Sequence, residues 1–301
     1  MEKQFRKKLK RVAETMNGYV LGLLILTGIN IIAVLGVSVL TGFTRLFSFG
    51  NAGFMSIGAY TSAILTTRYH VPFIPALIVG AGLAGLLSLG LGKITLKLTG
   101  DYFLFATLGF GECVRLLMEF LDKFTGGARG FGGIKPYTTL PVVAVSVVLA
   151  IAGAWNFIHS KYGRNLMAIR EQQVAAEAVG IDTAKYKQMS FTLSAIYAGW
   201  AGALFAHYMM FITPAMFNLD KSIELTTTVV IGGMGSLTGS ILASMLITLL
   251  PEILRSAANY RMLFYGVAVV LVITLRPTGL MGYKEVSLNW FKKLPFIKTK
   301  S

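Results

Sequence analysis

The chain reads as an all-α, polytopic membrane helix bundle of about 8–10 spans. Glycine-broken or re-entrant segments and one cytoplasmic amphipathic helix belong to the same reading. Three observations predict it. Of 301 residues, 54% are hydrophobic and only 14% charged, where a soluble domain carries about 25% charged residues. The apolar residues fall into membrane-length runs. A single polar, amphipathic stretch, Gly163–Ile181, interrupts them.

The N-terminal segment, 1–18, is basic: Lys3, Arg6, Lys7, Lys8, Lys10 and Arg11 precede the first apolar run. The tail, 284–301, carries Lys284, Lys292, Lys293, Lys298 and Lys300. Both ends read as cytoplasmic by the positive-inside rule. Between them, 19–283 reads as one transmembrane domain. The net charge of +15 is concentrated at these ends and in one loop, and no nucleic-acid-binding motif accompanies it. The first run, Tyr19–Leu40, is uncharged and too long for a signal-peptide core, so it reads as an uncleaved span.

Further apolar segments follow at Leu46–Thr67, Val71–Gly92, Tyr102–Met118, Leu140–Ile158, Gln188–Phe211, Leu225–Leu250 and Met262–Leu275. The last is short, with Tyr260 and Arg276 placed to sit at the interfaces. Small residues recur every fourth position: Ala76, Gly80, Ala84, Ser88 and Gly92; Ala195, Gly199 and Ala203; Gly232, Ser236, Ser240, Ser244 and Thr248. Such stripes let helix backbones approach closely, which replaces the hydrophobic driving force that lipid does not supply.

The span count carries a conflict. With the N-terminus inside, the segments before Gly163 place the amphipathic stretch outside. Its loop carries Lys161, Arg164, Arg170, Lys185 and Lys187, which argues for the cytoplasm. An extra crossing or a re-entrant piece would remove the conflict. Two glycine-rich interruptions are candidates: Phe47-Ser-Phe-Gly-Asn-Ala-Gly53 and Ile231-Gly-Gly-Met-Gly-Ser-Leu-Thr-Gly239. Broken helices are tolerated at membrane depth where protein or a water-filled cavity surrounds them. Close packing alone would also explain the glycines.

The amphipathic stretch predicts a helix over Arg164–Val179, stopped at Gly180 by a left-handed C-cap. Leu166, Met167, Ile169, Val174 and Ala178 alternate with Arg164, Arg170, Glu171 and Glu177. The helix is too polar to span a bilayer and suits docking into a groove on a soluble partner.

Enzymatic chemistry finds no support. His70, His159 and His207 lack metal-ligand spacing, and HExxH, CxxC, GxSxG and GxxxxGK[ST] patterns are all missing from the sequence. The chain is therefore not expected to bind ATP through a P-loop or to hold a metal. Cys113 is the sole cysteine. Glu112, inside an apolar span, lies one turn before Arg115, where the two can pair. An intramembrane acid is a functional candidate by default.

Several stretches resemble, in order, the LivM-type permease subunit of branched-chain amino acid ABC importers (the LivH/LivM permease family). They are Phe47–Tyr60, Gly100–Glu112 (Gly-Asp-Tyr-Phe-Leu-Phe-Ala-Thr-Leu-Gly-Phe-Gly-Glu), Thr125-Gly-Gly127, Gly163–Gly180, Val230–Gly239 and Leu275-Arg-Pro-Thr-Gly-Leu-Met-Gly282. Thr99 stands where relatives often have Arg, and Cys113 where they have an aliphatic residue. The resemblance implies a transport subunit, not an enzyme, with no cofactor of its own. ATP and Mg would sit on two partner ATPase subunits. It further implies a second, LivH-type permease, an extracytoplasmic substrate-binding protein and an amino-acid substrate, in a bacterial or archaeal plasma membrane and with no nucleic acid. The 163–187 loop would be the cytoplasmic coupling loop, with Arg164, Arg170, Glu171, Ala175, Ala176, Glu177 and Gly180 meeting the ATPase. Gly50, Asn51, Gly53, Gly109, Glu112, Gly232, Gly233 and Gly235 are the candidates for pore or gate. The alternatives are a urea or short-amide importer permease, an ion-coupled carrier using Glu112, and a non-transporting scaffold.

Overall fold

A computed structural model describes residues 2–98, 100–253, 266 and 279–282, without the side chains of 2–17 and 251–253. Eleven helices run through these residues. They are α1 (Glu2–Val37, prolonged by a π-helical turn at Ser38–Gly42), α2 (Asn51–Arg68), α3 (Phe73–Thr95), α4 (Asp101–Phe120), α5 (Asp122–Thr125) and α6 (Leu140–His159). After them come α7 (Lys161–Glu171), α8 (Gln173–Ala178), α9 (Thr183–Met209), α10 (Leu219–Gly232) and α11 (Leu237–Ile253). Among the described residues β structure is limited to one antiparallel bridge, Phe131 with Ile212. Apart from Gly266, the predicted segment Met262–Leu275 lies outside the described residues, as does the tail 284–301.

Gly18–Gly42, Phe73–Thr95, Leu140–His159 and Thr183–Met209 are long and apolar enough to cross a bilayer. The predicted span Tyr102–Met118 lies in the 20-residue helix α4, which carries Asp101, Glu112, Arg115 and Glu119, and Leu46–Thr67 and Leu225–Leu250 are broken. Leu46–Thr67 is helical only from Asn51, because residues 45–50 leave the helix. Leu225–Leu250 is two helices, not one, since α10 stops at Gly232 and α11 starts at Leu237. Gly233 and Gly235, at φ 114° and 107°, take conformations that side chains with a Cβ resist. Both glycine-rich interruptions therefore break helices.

Helix α9 is the centre of the bundle and packs on α1, α2 and α3. The small-residue stripes form these contacts. A Cβ on Gly58 would stand 2.1 Å from the Gly199 carbonyl oxygen, and one on Gly202 would stand 1.9 Å from that of Met55. Across α3, Gly80 meets Gly58 and Ala84 meets Gly199. Backbones this close gain dispersion and leave no room for lipid.

The contacts fix the direction of each helix. Gly22 of α1 lies against Tyr208, and Gly36 against Ser194 and Tyr197, so α9 runs antiparallel to α1. Gly28 lies against Val143, near the start of α6. The α6–α9 connection, with α7 and α8 in it, is thus at the Gly42 end of α1. Residues Leu280 and Met281 return to this end, donating to the carbonyls of Ile231 and Gly232 at 2.8 and 3.2 Å. The Gly18 end of α1 and the Lys161–Lys187 loop lie at opposite ends of the bundle. No extra crossing among the described helices brings them together. The broken segments complete the crossings they belong to, so the conflict between the span count and the charges stays as the sequence posed it.

Candidate functional site

Helix α7 begins at Lys161, where Ser160 Oγ accepts the Tyr162 N–H at 3.2 Å. This is an ordinary serine N-cap. The predicted single helix Arg164–Val179 is not continuous. Gln172 is extended (φ −156°, ψ 106°) and separates α7 from α8. Its apolar residues are divided accordingly. Leu166 and Ile169 of α7 are buried, at 0% and 4% exposure, so this half of the apolar face is used up on the chain's own bundle. Val174 and Val179 face outward at 73% and 77% exposure.

The C-terminal stop is as expected. Gly180 takes φ 83°, its N–H bonds to the Glu177 carbonyl at 2.9 Å, and the Ile181 N–H bonds to that of Ala176 at 3.0 Å. Together these form a Schellman motif. Side chains reinforce it. Glu177 Oε1 accepts from Gln173 Nε2 and Thr183 Oγ1, both at 2.8 Å, and Lys187 Nζ donates to Gln173 Oε1 at 2.7 Å. The bonds from Gln173 and Thr183 hold the Glu177 carboxyl below its ordinary pKa.

Of the predicted coupling residues, Ala175, Glu177 and Gly180 are exposed, and Ala176 is buried. Arg164 is exposed, and its Nη1 donates to the His159 carbonyl at 3.2 Å. Arg170 turns inward: its Nη1 donates to the Gly42 carbonyl at 3.3 Å. The Arg170 guanidinium also bonds to Glu171 Oε1, at 2.8 Å through Nη2, which lowers the Glu171 pKa.

The two helix breaks flank α10. At the first, Thr226 Oγ1 donates to the Ser48 carbonyl at 3.3 Å, and the Ala52 N–H donates to Ser222 Oγ at 3.0 Å. Asn51 is fully buried; its Nδ2 donates to the Ser48 carbonyl at 3.0 Å, and its Oδ1 accepts from Ser194 Oγ at 3.3 Å. The unwound backbone is thus satisfied by side chains of neighbouring helices, as membrane burial requires. At the second break, Gly232 packs on Gly239, and a Cβ on Gly42 would stand 3.1 Å from the Gly235 nitrogen.

Gly50 and Gly53 pack on α4, against Thr107 and Gly111. The glycine of α4 that meets the break is Gly111; a Cβ on Gly109, one of the pore candidates, would meet nothing within 4 Å. Glu112 pairs with Arg115 at 2.7 Å, and Arg115 reaches Glu119 at 3.5 Å. Glu112 also lines a cleft with Phe49, Ala52, Gly111, Phe217 and Ser222.

One further ion pair, on α10, has no counterpart in the sequence reading. Lys221 Nζ lies 3.1 Å from Glu224 Oε2 on α10 and 3.2 Å from Asn30 Oδ1. Asn30 Nδ2 donates to Thr248 Oγ1 of α11 at 3.2 Å. Asn30 lies midway along Gly18–Gly42. The sequence signal was the opposite-charge pair one turn apart, which the apolar segment starting at Leu225 left in a loop. Among the described residues no group of three or more His, Cys, Asp or Glu is placed to hold a metal ion.

Comparison with known proteins gives a consistent match. The family described as branched-chain amino acid transport system / permease component matches residues 19–274. The chain is 35% identical over 300 residues to the high-affinity branched-chain amino acid transport system permease protein LivM of Escherichia coli K12, covering 88% of this chain and 70% of that one. Identity to the LivM protein of Salmonella typhimurium is 33% over 302 residues, with the same coverage. A probable LivH permease of Methanocaldococcus jannaschii is 24% identical over 305 residues, covering 92% of this chain and 95% of that one. No solved structure matches.

Proposed function

We propose a function from one established premise: the chain belongs to the branched-chain amino acid transport system permease family. The chain is a multi-pass membrane protein and a transport component. Our reading is that it forms half of an ABC importer for branched-chain amino acids (leucine, isoleucine, valine), paired with a second, LivH-type permease. Two ATPase subunits, holding ATP and Mg, dock on α8 in the cytoplasm. An extracytoplasmic binding protein delivers the substrate.

The observation that carries this reading is the division of labour at Gln172. Helix α7 is anchored to the bundle through Leu166 and Ile169. Helix α8, with Val179 just after it, holds Val174, Ala175 and Val179 outward on a short element braced by the Gln173–Glu177–Thr183 bonds. An anchored lever with an exposed apolar face suits a partner that pushes. The 161–187 loop itself carries Lys161, Arg164, Arg170, Lys185 and Lys187, which supports a cytoplasmic placement of that loop. Pairing of Glu112 with Arg115 gives an ion-coupled carrier no free acid at that position.

The test is radiolabelled leucine uptake into proteoliposomes containing this chain, the second permease, the ATPases and the binding protein. We expect uptake that requires both internal ATP and the binding protein. Uptake by this chain alone under an ion gradient would overturn the reading. ATP-driven uptake of urea or an amide without leucine would change the substrate only.

A further inference from the structure

Arg170 looked from the sequence like a residue of the docking surface. Its side chain is 11% exposed, while that of its partner Glu171 is 65% exposed. The Arg170 guanidinium reaches across to α1 and donates to the Gly42 carbonyl. Gly42 closes the π-helical turn Ser38–Gly42. It is also the point where α1 touches the α10–α11 turn, through the Gly235 backbone. One turn back, Ser240 Oγ donates to Ser38 Oγ at 3.0 Å. One guanidinium thus joins the loop to the junction of the two helix systems.

We propose that Arg170 is the positioning residue that carries motion of the α7–α8 loop to the junction formed by Ser38–Gly42 and Gly233–Ser236. The proposal rests on the reading that ATPases dock on α8. Three physical features support it. Leu166 and Ile169 are buried on the same helix, so α7 and Arg170 move as one body. A π-helical turn such as Ser38–Gly42 is a rare interruption of an α-helix, and such turns recur at functional positions. The planar guanidinium fixes two acceptors at once, Gly42 O and Glu171 Oε1, in a geometry that an ammonium does not hold.

The experiment uses the whole transporter, reconstituted with its ATPases and binding protein. Arg170→Ala, Arg170→Lys and Gly42→Ala are compared with wild type for ATPase co-purification, ATP hydrolysis and leucine uptake in the same vesicles. Losing a charge-assisted bond corresponds to about tenfold or more in the equilibrium it biases. We expect uptake per ATP to fall by about that factor in Arg170→Ala and to recover in part in Arg170→Lys. ATPase co-purification should be kept throughout. Gly42→Ala, which crowds the Gly235 nitrogen, should uncouple in the same direction with Arg170 intact, and it provides the reading if Arg170→Ala does not fold. Loss of ATPase binding in folded Arg170→Lys would make Arg170 a docking residue and overturn the proposal. Proportional loss of hydrolysis and uptake, or normal coupling in Gly42→Ala, would also overturn it. Failure of the wild-type chain to bind ATPases would instead sink the docking reading.

Discussion

The ammonium of Lys221 lies 3.2 Å from the side-chain oxygen of Asn30, halfway along the first membrane-crossing helix. Glu224 neutralises it at 3.1 Å. The pair is partly buried, with the Lys221 and Glu224 side chains 19% and 37% exposed, so removing one partner leaves the other only partly solvated. Glu224→Gln should destabilise the protein by about 1–2 kcal/mol, and the double change Lys221→Met, Glu224→Gln by less. Thermal unfolding in lipid nanodiscs checks this, and equal losses for the single and double variants would show that the pair is not the source.

Two glycines give opposite forecasts. A methyl on Gly58 collides with the Gly199 backbone, with its carbon 2.1 Å from the carbonyl oxygen, whereas a methyl on Gly109 meets nothing within 4 Å. Backbone cannot swing aside like the end of a flexible side chain, so Gly58→Ala must push α2 away from α9. We expect a loss of about 1–3 kcal/mol for Gly58→Ala. Gly109→Ala should gain about 0.5–1 kcal/mol, because alanine loses less entropy than glycine in a helix interior. Comparing the two unfolding midpoints tests the packing of α2 on α9 directly.

What could be read beforehand followed from strong local signals. The all-α class came from composition, and the close helix contacts came from small residues every fourth position. Gly180 was placed correctly because a left-handed C-cap selects glycine locally. The break at Gln172 was not legible: glutamine is a good helix former, and its extended backbone accompanies a bond from Thr183, on the next helix, to Glu177. The inward turn of Arg170 was hidden for a similar reason, since its acceptor, Gly42, is 128 positions away. Lys221 and Glu224 were missed because their depth depends on where α10 starts, which the loop before it decides.

Topology gives a third forecast. Gly18 and the α7–α8 loop stand at opposite ends of the bundle. After replacement of the exposed Cys113, single cysteines at Gly18 and at Lys185 should react with impermeant reagents from opposite sides of the membrane. Labelling of both from the same side would contradict the antiparallel packing of α1 and α9 and favour the charge-based placement of the N-terminus.

The last forecast concerns pH. Gln173 and Thr183 stabilise the ionised carboxyl of Glu177, so its pKa is lower in the folded loop than in the unfolded chain. Stability from such a group is fully present above the unfolded value, about 4.3, and is lost as pH falls through the lower folded value. At neutral pH the carboxylate is ionised and α8 keeps its brace. Below about pH 4.3 protonation should release Gln173 and Thr183, so that amide protection at Gly180 and Ile181 falls after correction for intrinsic exchange. Glu177→Gln removes the ionisation and should flatten that dependence. If the variant keeps the wild-type profile, the pH response must come from another carboxylate, and Asp182, which caps α9 through the Lys185 N–H at 3.1 Å, is the neighbour to replace next.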